Sequence, residues 1–516
     1  MKVSDFTTQA GRLFGTMPIW HGTVDADALR ALCEEVHHNG GKLVALWGSD
    51  ETAQQNSYAL HVALVDANGL LALTLIIPQD KPAFPDLSDL FPAANRMQRA
   101  VSDLLGLHPV GGNDHRKWLR HSSWPGNVHP LRKSFDVNTA YPTEADAYPF
   151  VPVTGNGVHE IAVGPVHAGT IEPGHFRFSI IGEKILRLEE RLGYKHKGIE
   201  KRFEGMTLEQ GAKLAGRISG DTTVAYAWAY AQAVESVTCI TPPLRAQWLR
   251  ALFLELERLH NHLGDLGYIG NDAALAFGFA QFWILKEDLL RMNGELFGHR
   301  YLMDRIVPGG VSVDVNSAAH TCIIKTLRHL EDEVATLKNI YDEHAGMQDR
   351  FVTTGRVTPE LAAQLGLTGL AGRASGQAWD LRAQFPCAPY DQLDVAMATH
   401  RNGDVAARVM VRFEEVTESI RLVRSILEQL PAGAQLIAPL ADAEEGKLGI
   451  GWVEGWRGEV LVALHTGSNN RIHRLHAHDP SWQNWPVLEH AVIGNIVPDF
   501  PLINKSFNLS YSGVDL

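Results

Sequence analysis

The sequence predicts an α+β protein in which a small mixed domain precedes a larger, mostly helical domain. Strand-like runs and the hairpin signal Asp66-Ala67-Asn68-Gly69 are concentrated between residues 42 and 77. Apolar residues at helical spacing dominate the chain after residue 200. Residues 136–157 are rich in proline and glycine and carry no helical stripe, so they predict a linker between the two domains.

The first domain is predicted to occupy residues 1–135. A helix is expected over Asp25–His38, because its apolar residues recur at helical spacing and two glycines follow it. An amphipathic helix is expected within Phe91–Leu107. Strands are predicted at Lys42–Trp47, Tyr58–Val65 and Leu70–Ile77.

The second domain is predicted to span residues 158–516, with two short strands within Glu160–Ile181 and a further β element near Trp452–Thr466. Thr207 and Gln210 have the spacing of a capping box, which predicts the start of a helix that carries Arg217. Longer helices are predicted at Ala246–Gly267 and, roughly, at Phe277–Arg305, Ala318–Ala345 and Asp404–Leu430.

The net charge disfavours nucleic acid as a partner. The chain has 46 Lys and Arg against 59 Asp and Glu, a formal charge of −13, and it shows no basic stripe. No run of about 18 apolar residues occurs, and the N-terminal segment lacks the apolar core of a signal peptide. We therefore expect a cytoplasmic protein that reaches the inner face of the cell membrane only through partner subunits.

The cysteines predict no metal cluster in this chain. Cys33, Cys239, Cys322 and Cys387 are far apart, and no Cys-x-x-Cys pair occurs. Local spacing therefore gives no iron–sulfur or zinc site, and no cofactor is expected in the chain itself. No glycine-rich phosphate loop predicts NAD binding either, since Gly309 and Gly310 follow a proline and are expected to form a turn.

Several motifs, taken in order, resemble two known subunits. Phe91–Asn95 and His129–Lys133 resemble the 30 kDa subunit of respiratory complex I. Gly164–His167, Gly294–Arg300 and Glu454–Glu459 resemble the 49 kDa subunit and its nickel–iron hydrogenase relatives. A chain that joins both parts resembles the large subunits of hydrogenase-4 and formate hydrogenlyase type complexes, the group 4 nickel–iron hydrogenases. The resemblance implies the fold of those proteins and a place in a membrane-associated complex.

The resemblance also shows what this chain lacks. In nickel–iron hydrogenases an Arg-Gly-x-Glu element is followed at a fixed distance by Arg-x-Cys-Gly-x-Cys. Here Lys197–Glu200 is followed at that distance by Arg217–Thr222, and Ser219 and Thr222 stand at the two cysteine positions.

A second hydrogenase cysteine pair lies near the C terminus, where this chain has Ser510 and Gly513. Hydroxyl groups do not replace thiolates as ligands of a soft metal at neutral pH. The resemblance thus implies a metal site whose nickel ligands are lost, and hydrogen turnover by this chain is not expected.

Complex I reduces quinone in the corresponding cavity. A tyrosine that contacts the quinone headgroup in complex I lies near the position of Gly220, so that contact is missing here. A histidine on the first β-turn is the other contact, and both His167 and His175 are candidates for it. Quinone is therefore a candidate ligand that the resemblance implies without all of its usual residues.

Two further residues match functional positions of hydrogenases. Glu200 matches the glutamate that moves protons away from the metal, a role that a raised pKa would suit. The structural alternative is a salt bridge to Arg217 or Lys201. Arg457 matches an arginine above the metal and would bind an anion or supply a fixed charge, unless its role is structural.

Other polar residues leave alternatives open. Asp221, Thr222 and Thr223 would hold water or a small polar ligand, or else fill the vacated volume with satisfied hydrogen bonds. The run that contains His473, His476 and His478 suggests a metal site, but its spacing favours an exposed polar segment.

Two functions follow from the resemblance. The first is a non-nickel large subunit of a redox-driven, ion-translocating complex, which docks on a small iron–sulfur subunit and connects its cavity to antiporter-like membrane subunits. The alternative is an oxidoreductase subunit of NADH–quinone type that reduces a quinone or small carrier with electrons from the partner's iron–sulfur cluster. Whether the partner keeps the cluster's cysteines would separate the two.

Overall fold

The structure is a computed structural model that describes residues 1–145 and 147–516. Asp146, in the predicted linker, lies outside the described residues. The elements of the N-terminal part are α1 (Val3–Gln9), β1 (Gly11–Arg12), β2 (Ile19–Val24), α2 (Ala26–His38), β3 (Lys42–Asp50), α3 (Thr52–Gln55), β4 (Ser57–Asp66), β5 (Gly69–Pro78), β6 (Ala83–Pro85), α4 (Ala94–Leu105) and β7 (His108–Val110).

The N-terminal part is built on a five-stranded sheet in the order β1-β2-β5-β4-β3, in which the β2–β5 pair is parallel and the others are antiparallel. Asp25 caps α2 by accepting a hydrogen bond from the amide of Ala28 at 2.8 Å. The hairpin predicted from the Asn68-Gly69 signal joins β4 to β5, with Asp66 paired to Gly69. Helices α2 and α4 pack against the sheet and bury its apolar face.

The second part contains three small sheets and most of the helices. Its elements are β8 (Val158–Val163), β9 (His175–Ile181), β10 (Lys184–Arg191), α5 (Ile199–Phe203), α6 (Leu208–Ala215), α7 (Thr223–Thr238), α8 (Leu244–Asp272), α9 (Ala276–Phe297), β11 (Ile306–Val307), β12 (Gly310–Val311), α10 (Ser317–Glu343), α11 (Ala345–Phe351), α12 (Pro359–Leu365), α13 (Gly369–Ala374), α14 (Leu381–Gln384), α15 (Val405–Gln429), β13 (Leu448–Glu454), β14 (Glu459–Thr466), β15 (Ile472–His478), α16 (Ser481–Ala491), α17 (Phe500–Phe507) and α18 (Ser512–Asp515).

The α+β class is confirmed, and α8 forms the centre of the helical part. Of its 29 residues, 23 are buried, and α9 and α15 pack against it, which explains the apolar stripe in its sequence. The predicted capping box is present at Thr207 and Gln210. However, α6 ends at Ala215, so Arg217 lies beyond the helix that was expected to carry it, and its exposed side chain pairs with Asp304 at 2.7 Å.

The two parts meet along β3 and β15. The ring of Trp47 stacks between the rings of His61 and His476, at centroid distances of 5.2 and 5.0 Å. Gln483 donates a hydrogen bond to the carbonyl of Val44 at 2.6 Å. Over the described ranges, no helix is both long and apolar enough to cross a membrane.

Candidate functional site

A cavity of about 470 Å³, lined by both polar and aromatic side chains, lies between α8, α9 and the C-terminal segment. The loop between β8 and β9 covers one side of it, where Thr170 hydrogen-bonds Tyr268 at 2.8 Å and Glu172 accepts a hydrogen bond from the amide of Ser512 at 2.9 Å. The lining residues are Thr170, Ile171, Glu172, Ser219, Gly220, Asp221, Asn261, Gly264, Asp265, Tyr268, Trp283, Lys286, Tyr301, Met303, Arg457, Lys505, Asn508, Leu509, Ser510, Tyr511 and Ser512.

The structure brings together Ser219, Thr222, Ser510 and Gly513, the four residues that the resemblance aligns with nickel-ligand positions. Ser219, just before the short 3-10 helix that leads into α7, lies 3.3 Å from Ser510 between their hydroxyl oxygens. The amide of Gly513 donates to the Ser510 hydroxyl at 2.9 Å. Thr222 lies beside the same cavity, where its hydroxyl accepts a hydrogen bond from the cavity residue Arg457 at 3.1 Å.

The space beside Gly513 is occupied by a buried carboxyl group. A Cβ atom at position 513 would come within 2.6 Å of an Asp479 carboxylate oxygen. That carboxyl group also accepts hydrogen bonds from the hydroxyl of Tyr226 at 3.1 Å and the amide of Ser481 at 2.9 Å, which hold it in place. Any side chain at position 513 therefore requires Asp479 to move.

The floor of the cavity is an ion pair between Asp221 and Arg457. The guanidinium group binds both carboxylate oxygens, at 3.0 and 2.6 Å, and also donates to the carbonyl of Asn508 at 2.6 Å. Burial opposes ionisation of Asp221, but the charge and hydrogen bonds of Arg457 outweigh it and hold its pKa well below the usual range. The two residues neutralise each other, and Arg457 stacks on Trp456 at 3.9 Å.

A second set of charges lies on α8 and α17. Asp265 accepts hydrogen bonds from Arg412 at 2.9 Å and Asn508 at 2.7 Å, and Lys505 lies 3.2 Å from it. Burial opposes ionisation, but the charges of Lys505 and Arg412 lower the pKa of Asp265. Both Asp221 and Asp265 are thus paired with cations.

Glu200 does not line this cavity and does not have the environment expected from the sequence. It lies on α5, where its carboxylate is 2.7 Å from His476 and 3.1 Å from Arg474. The expected partners are wrong, because Arg217 pairs with Asp304 and Lys201 with Glu204. The expected raised pKa is wrong as well: burial opposes ionisation, but Arg474 and His476 lower the pKa of Glu200 to about 2.

The two candidate quinone histidines have different surroundings. His167, in the β8–β9 loop, has its ring centroid 6.3 Å from that of Tyr511, and its Nε2 atom is buried without a hydrogen-bond partner among the described residues. His175 begins β9 and lies beside Phe150 at 5.2 Å, away from the cavity wall. Of the two, His167 is the one beside a residue that lines the cavity.

The histidine run near the C terminus is not the exposed segment that its spacing suggested. His476 and His478 lie on β15 and are buried, as is Arg474. Their side chains are bonded within the fold, His476 to Glu200 and His478 to Gln483 at 3.0 Å. These residues brace the contact between the two parts of the chain.

The donors at the cavity do not fit a thiolate-bound nickel. Hydroxyl groups, an ion-paired carboxylate and amide groups surround it, and all four cysteines, Cys33, Cys239, Cys322 and Cys387, lie elsewhere. In the part of the chain that the structure describes, no group of three or more His, Cys, Asp or Glu side chains has the arrangement of a metal site. Thr223 is also satisfied, by a hydrogen bond to the carbonyl of Gly216 at 2.7 Å.

Sequence reasoning missed several residues of this region. Lys286 and Tyr511 line the cavity, but a lysine and a tyrosine carry no recognisable pattern in the sequence. Glu257 accepts hydrogen bonds from the amides of Val224 and Ala225 at the start of α7. Burial raises its pKa to about 8, against these hydrogen bonds. The sequence did not single out Glu257, because it lies among the buried residues of α8.

Comparison with known proteins agrees with this architecture. The family model described as the respiratory-chain NADH dehydrogenase 30 kDa subunit matches residues 22–141, and that of the 49 kDa subunit matches residues 269–447. A chain from the structure of the membrane-bound sulfane sulfur reductase, an archaeal respiratory membrane complex, shares the fold with a TM-score of 0.66 at 23% identity. The match covers 71% of this chain and all of that chain.

Full-length relatives extend the similarity. Formate hydrogenlyase subunit 5 of Escherichia coli K12 is 32% identical over 502 residues, covering 96% of this chain and 88% of that protein. Hydrogenase-4 component G of the same organism is 30% identical, covering 93% and 84%. The C/D polypeptide of NADH-quinone oxidoreductase from Bacteroides fragilis is 28% identical, covering 77% and 78%. The chain therefore belongs to the family of fused 30 kDa and 49 kDa complex I-type proteins that includes formate hydrogenlyase subunit 5 and hydrogenase-4 component G.

Proposed function

We propose that this chain is the non-nickel large subunit of a membrane-associated complex of the complex I and hydrogenase-4 type. In that role it docks on a small iron–sulfur subunit and transmits changes in its cavity to membrane subunits that move ions. Its relatives carry the names of hydrogenase and quinone oxidoreductase components, which supports a place in such a redox complex.

One observation carries the proposal. Ser219, Thr222, Ser510 and Gly513, which the resemblance aligns with the thiolate positions, are bonded to one another or to Arg457. These groups satisfy each other with hydrogen bonds and offer no thiolate to a metal. The cavity is retained while its thiolate chemistry is replaced, which favours a coupling role over hydrogen turnover.

The partners follow from the same reasoning. The chain has no cluster motif of its own, so any electrons that reach the cavity must come from a cluster in the partner subunit. In this proposal the chain lies on the cytoplasmic face of the membrane, attached through antiporter-like subunits. Nickel, nucleic acid and NAD are not part of the proposed function.

Metal analysis of the natively purified complex tests the proposal. We expect no stoichiometric nickel, since the cavity offers no thiolate. Nickel and iron are to be quantified per complex, together with low-temperature EPR of the reduced sample. One nickel per complex would contradict the proposal and make the chain a hydrogenase subunit. Iron with a reducible signal, without nickel, agrees with an iron–sulfur partner subunit and keeps the second function open.

The second function is reduction of a quinone or another small carrier, and one observation favours it. The hydroxyl of Tyr511 is buried at the cavity wall without a hydrogen bond of standard geometry among the described residues. His167 nearby has an unpartnered Nε2 atom. The Tyr511 hydroxyl can donate to a carbonyl oxygen of a quinone headgroup. His167 Nδ1 lies 3.2 Å from the carbonyl of Pro165 and donates to it, so its Nε2 atom can accept a hydrogen bond from the hydroxyl of the reduced quinol.

Replacing Tyr511 with phenylalanine tests this second function. The Tyr511→Phe variant should fold normally, because the hydroxyl that it removes makes no well-formed hydrogen bond in the fold. We expect its affinity for a short-chain benzoquinone to fall about 5- to 10-fold, the effect of one lost hydrogen bond. Binding is to be measured by quenching of tryptophan fluorescence, with Tyr141→Phe as the control. Equal affinity in all three proteins would remove the observation on which this function rests.

A further inference from the structure

One cation at the cavity wall has no counter-ion. The ammonium group of Lys286, on α9, lines the cavity and lies against the backbone of Gly264, where an added Cβ would approach it within 2.7 Å. It stands 4.9 Å from the ring of Trp283. Among residues 1–145 and 147–516 it has no hydrogen-bond or ion-pair partner.

The carboxylates around Lys286 are already engaged. Both terminal guanidinium nitrogens of Arg457 bind the carboxylate of Asp221. The carboxylate of Asp265 is bound by Arg412 and Lys505. Glu172 is the third carboxylate of the wall, and it accepts a hydrogen bond from the backbone amide of Ser512. Burial lowers the pKa of Lys286, and Asp265 and Asp221 favour its positive charge only from a distance, because neither forms an ion pair with it.

The rest of the wall suits the body of an organic molecule. Four aromatic rings line the cavity, those of Tyr268, Trp283, Tyr301 and Tyr511. The volume of about 470 Å³ falls within the range of small-molecule sites. Aromatic walls with one cation outside any ion pair offer stacking for a flat molecule and a charged anchor at one end of it.

We propose that the cavity binds a small organic anion, a carboxylate on a flat unsaturated body, with the Lys286 ammonium group as its anchor. The proposal deepens the proposed function by naming the ligand class of the same cavity, and it rests on that cavity being free of thiolate-bound metal. Arg457 is neutralised by Asp221, whereas Lys505 shares Asp265 with Arg412 and so adds positive charge to the same wall. Lys286 is the residue whose charge the ligand would balance.

Benzoate and benzamide are suitable probes, because they share size and shape and differ in charge. We expect benzoate to bind the full-length protein saturably, with quenching of tryptophan fluorescence from Trp283, and benzamide to bind about tenfold more weakly. In Lys286→Met the affinity for benzoate should fall about tenfold, while that for benzamide stays unchanged. The matched control is Lys325→Met, an exposed lysine on α10, which should bind benzoate like the wild type.

Three results would overturn the proposal: no saturable benzoate binding, equal binding of the two probes, or unchanged benzoate affinity in Lys286→Met. Lys286→Gln repeats the test if the methionine variant does not fold. Nickel is to be measured on the same protein. Nickel in the sample would defeat the proposed function, whereas a nickel-free sample that fails to discriminate the probes defeats the anion site alone.

Discussion

The Glu200→Gln substitution is expected to destabilise the protein by about 3 kcal/mol at pH 7. Glu200 is 5% exposed and its carboxylate is held by Arg474 and His476. Its pKa of about 2 lies well below the ordinary value of 4.5, so the folded state stabilises the ionised carboxylate more than the unfolded state does. Glu200→Gln removes that stabilisation and leaves Arg474 buried without a counter-ion.

The pH dependence of this effect has a defined sign. Because the folded-state pKa of Glu200 is depressed, its contribution is complete above the unfolded value of 4.5 and is lost as the pH falls towards 2. The difference in unfolding free energy between wild type and Glu200→Gln should therefore shrink by roughly half between about pH 7 and pH 3. Urea-induced unfolding across this range measures it, with the exposed Glu209→Gln as the control, expected to stay within about 0.5 kcal/mol.

The result bears on the proton-relay hypothesis for Glu200. A relay group must take up and release a proton near the working pH, which a carboxyl group with a pKa of about 2 does not do. An effect that grows at low pH would indicate a raised pKa and would revive the relay. The structure favours the alternative, in which Glu200 and Arg474 form a structural ion pair.

The sequence predicted the long helices well because their signal is local. The stripe of α8 and the capping box of α6 depend on residues within a few positions of one another. The hairpin between β4 and β5 was predicted for the same reason, since its Asn68-Gly69 turn is local. These elements needed no knowledge of the tertiary structure.

Strand β15 was missed because its polar residues suggested exposure. His476 and Arg474 are buried there only because Glu200, which precedes them by 276 and 274 residues, supplies the acceptor. The ring of His476 also stacks on Trp47, which lies in the first part of the chain. No local pattern records pairings between residues so far apart in the sequence.

The site was predicted in outline by resemblance and not by local pattern. The resemblance led us to expect Ser219, Thr222, Ser510 and Gly513 at one place, and the structure brings them together. The ion pair of Asp221 with Arg457 spans 236 positions and could not be read from spacing. Lys286 has no distinguishing pattern in the sequence. Only the fold shows that the nearby carboxylates, Asp221 and Asp265, are paired with other cations.

The largest stability effect is expected behind the cavity, at Arg373. This arginine, on α13, is fully buried and donates to Glu415 at 2.7 and 3.0 Å and to Glu454 at 2.9 Å. Glu415 in turn binds His262 on α8 at 2.7 Å, next to the cavity residue Asn261. The network therefore holds the back of the cavity wall against β13.

Arg373→Met should cost about 3–5 kcal/mol, because it leaves two buried carboxyl groups without their shared cation. The charge of Arg373 is the main influence that lowers the pKa of Glu415 against the effect of burial. The pKa of Glu454 is already raised to about 7, mainly by burial. Without Arg373, both carboxyl groups should bind protons more tightly in the folded state than in the unfolded state.

A raised folded-state pKa makes stability fall as the pH rises from about 4.5 towards that pKa. The cost of Arg373→Met should therefore be larger at about pH 8 than at about pH 5.5, the opposite of the dependence expected for Glu200→Gln. Urea-induced unfolding at the two pH values measures it. The exposed Arg291→Met, which breaks only a surface pair with Glu287, should cost under about 1 kcal/mol. Equal costs for the two arginine variants would mean that the buried network contributes no more than a surface ion pair, and that the cavity wall is held by its apolar contacts alone.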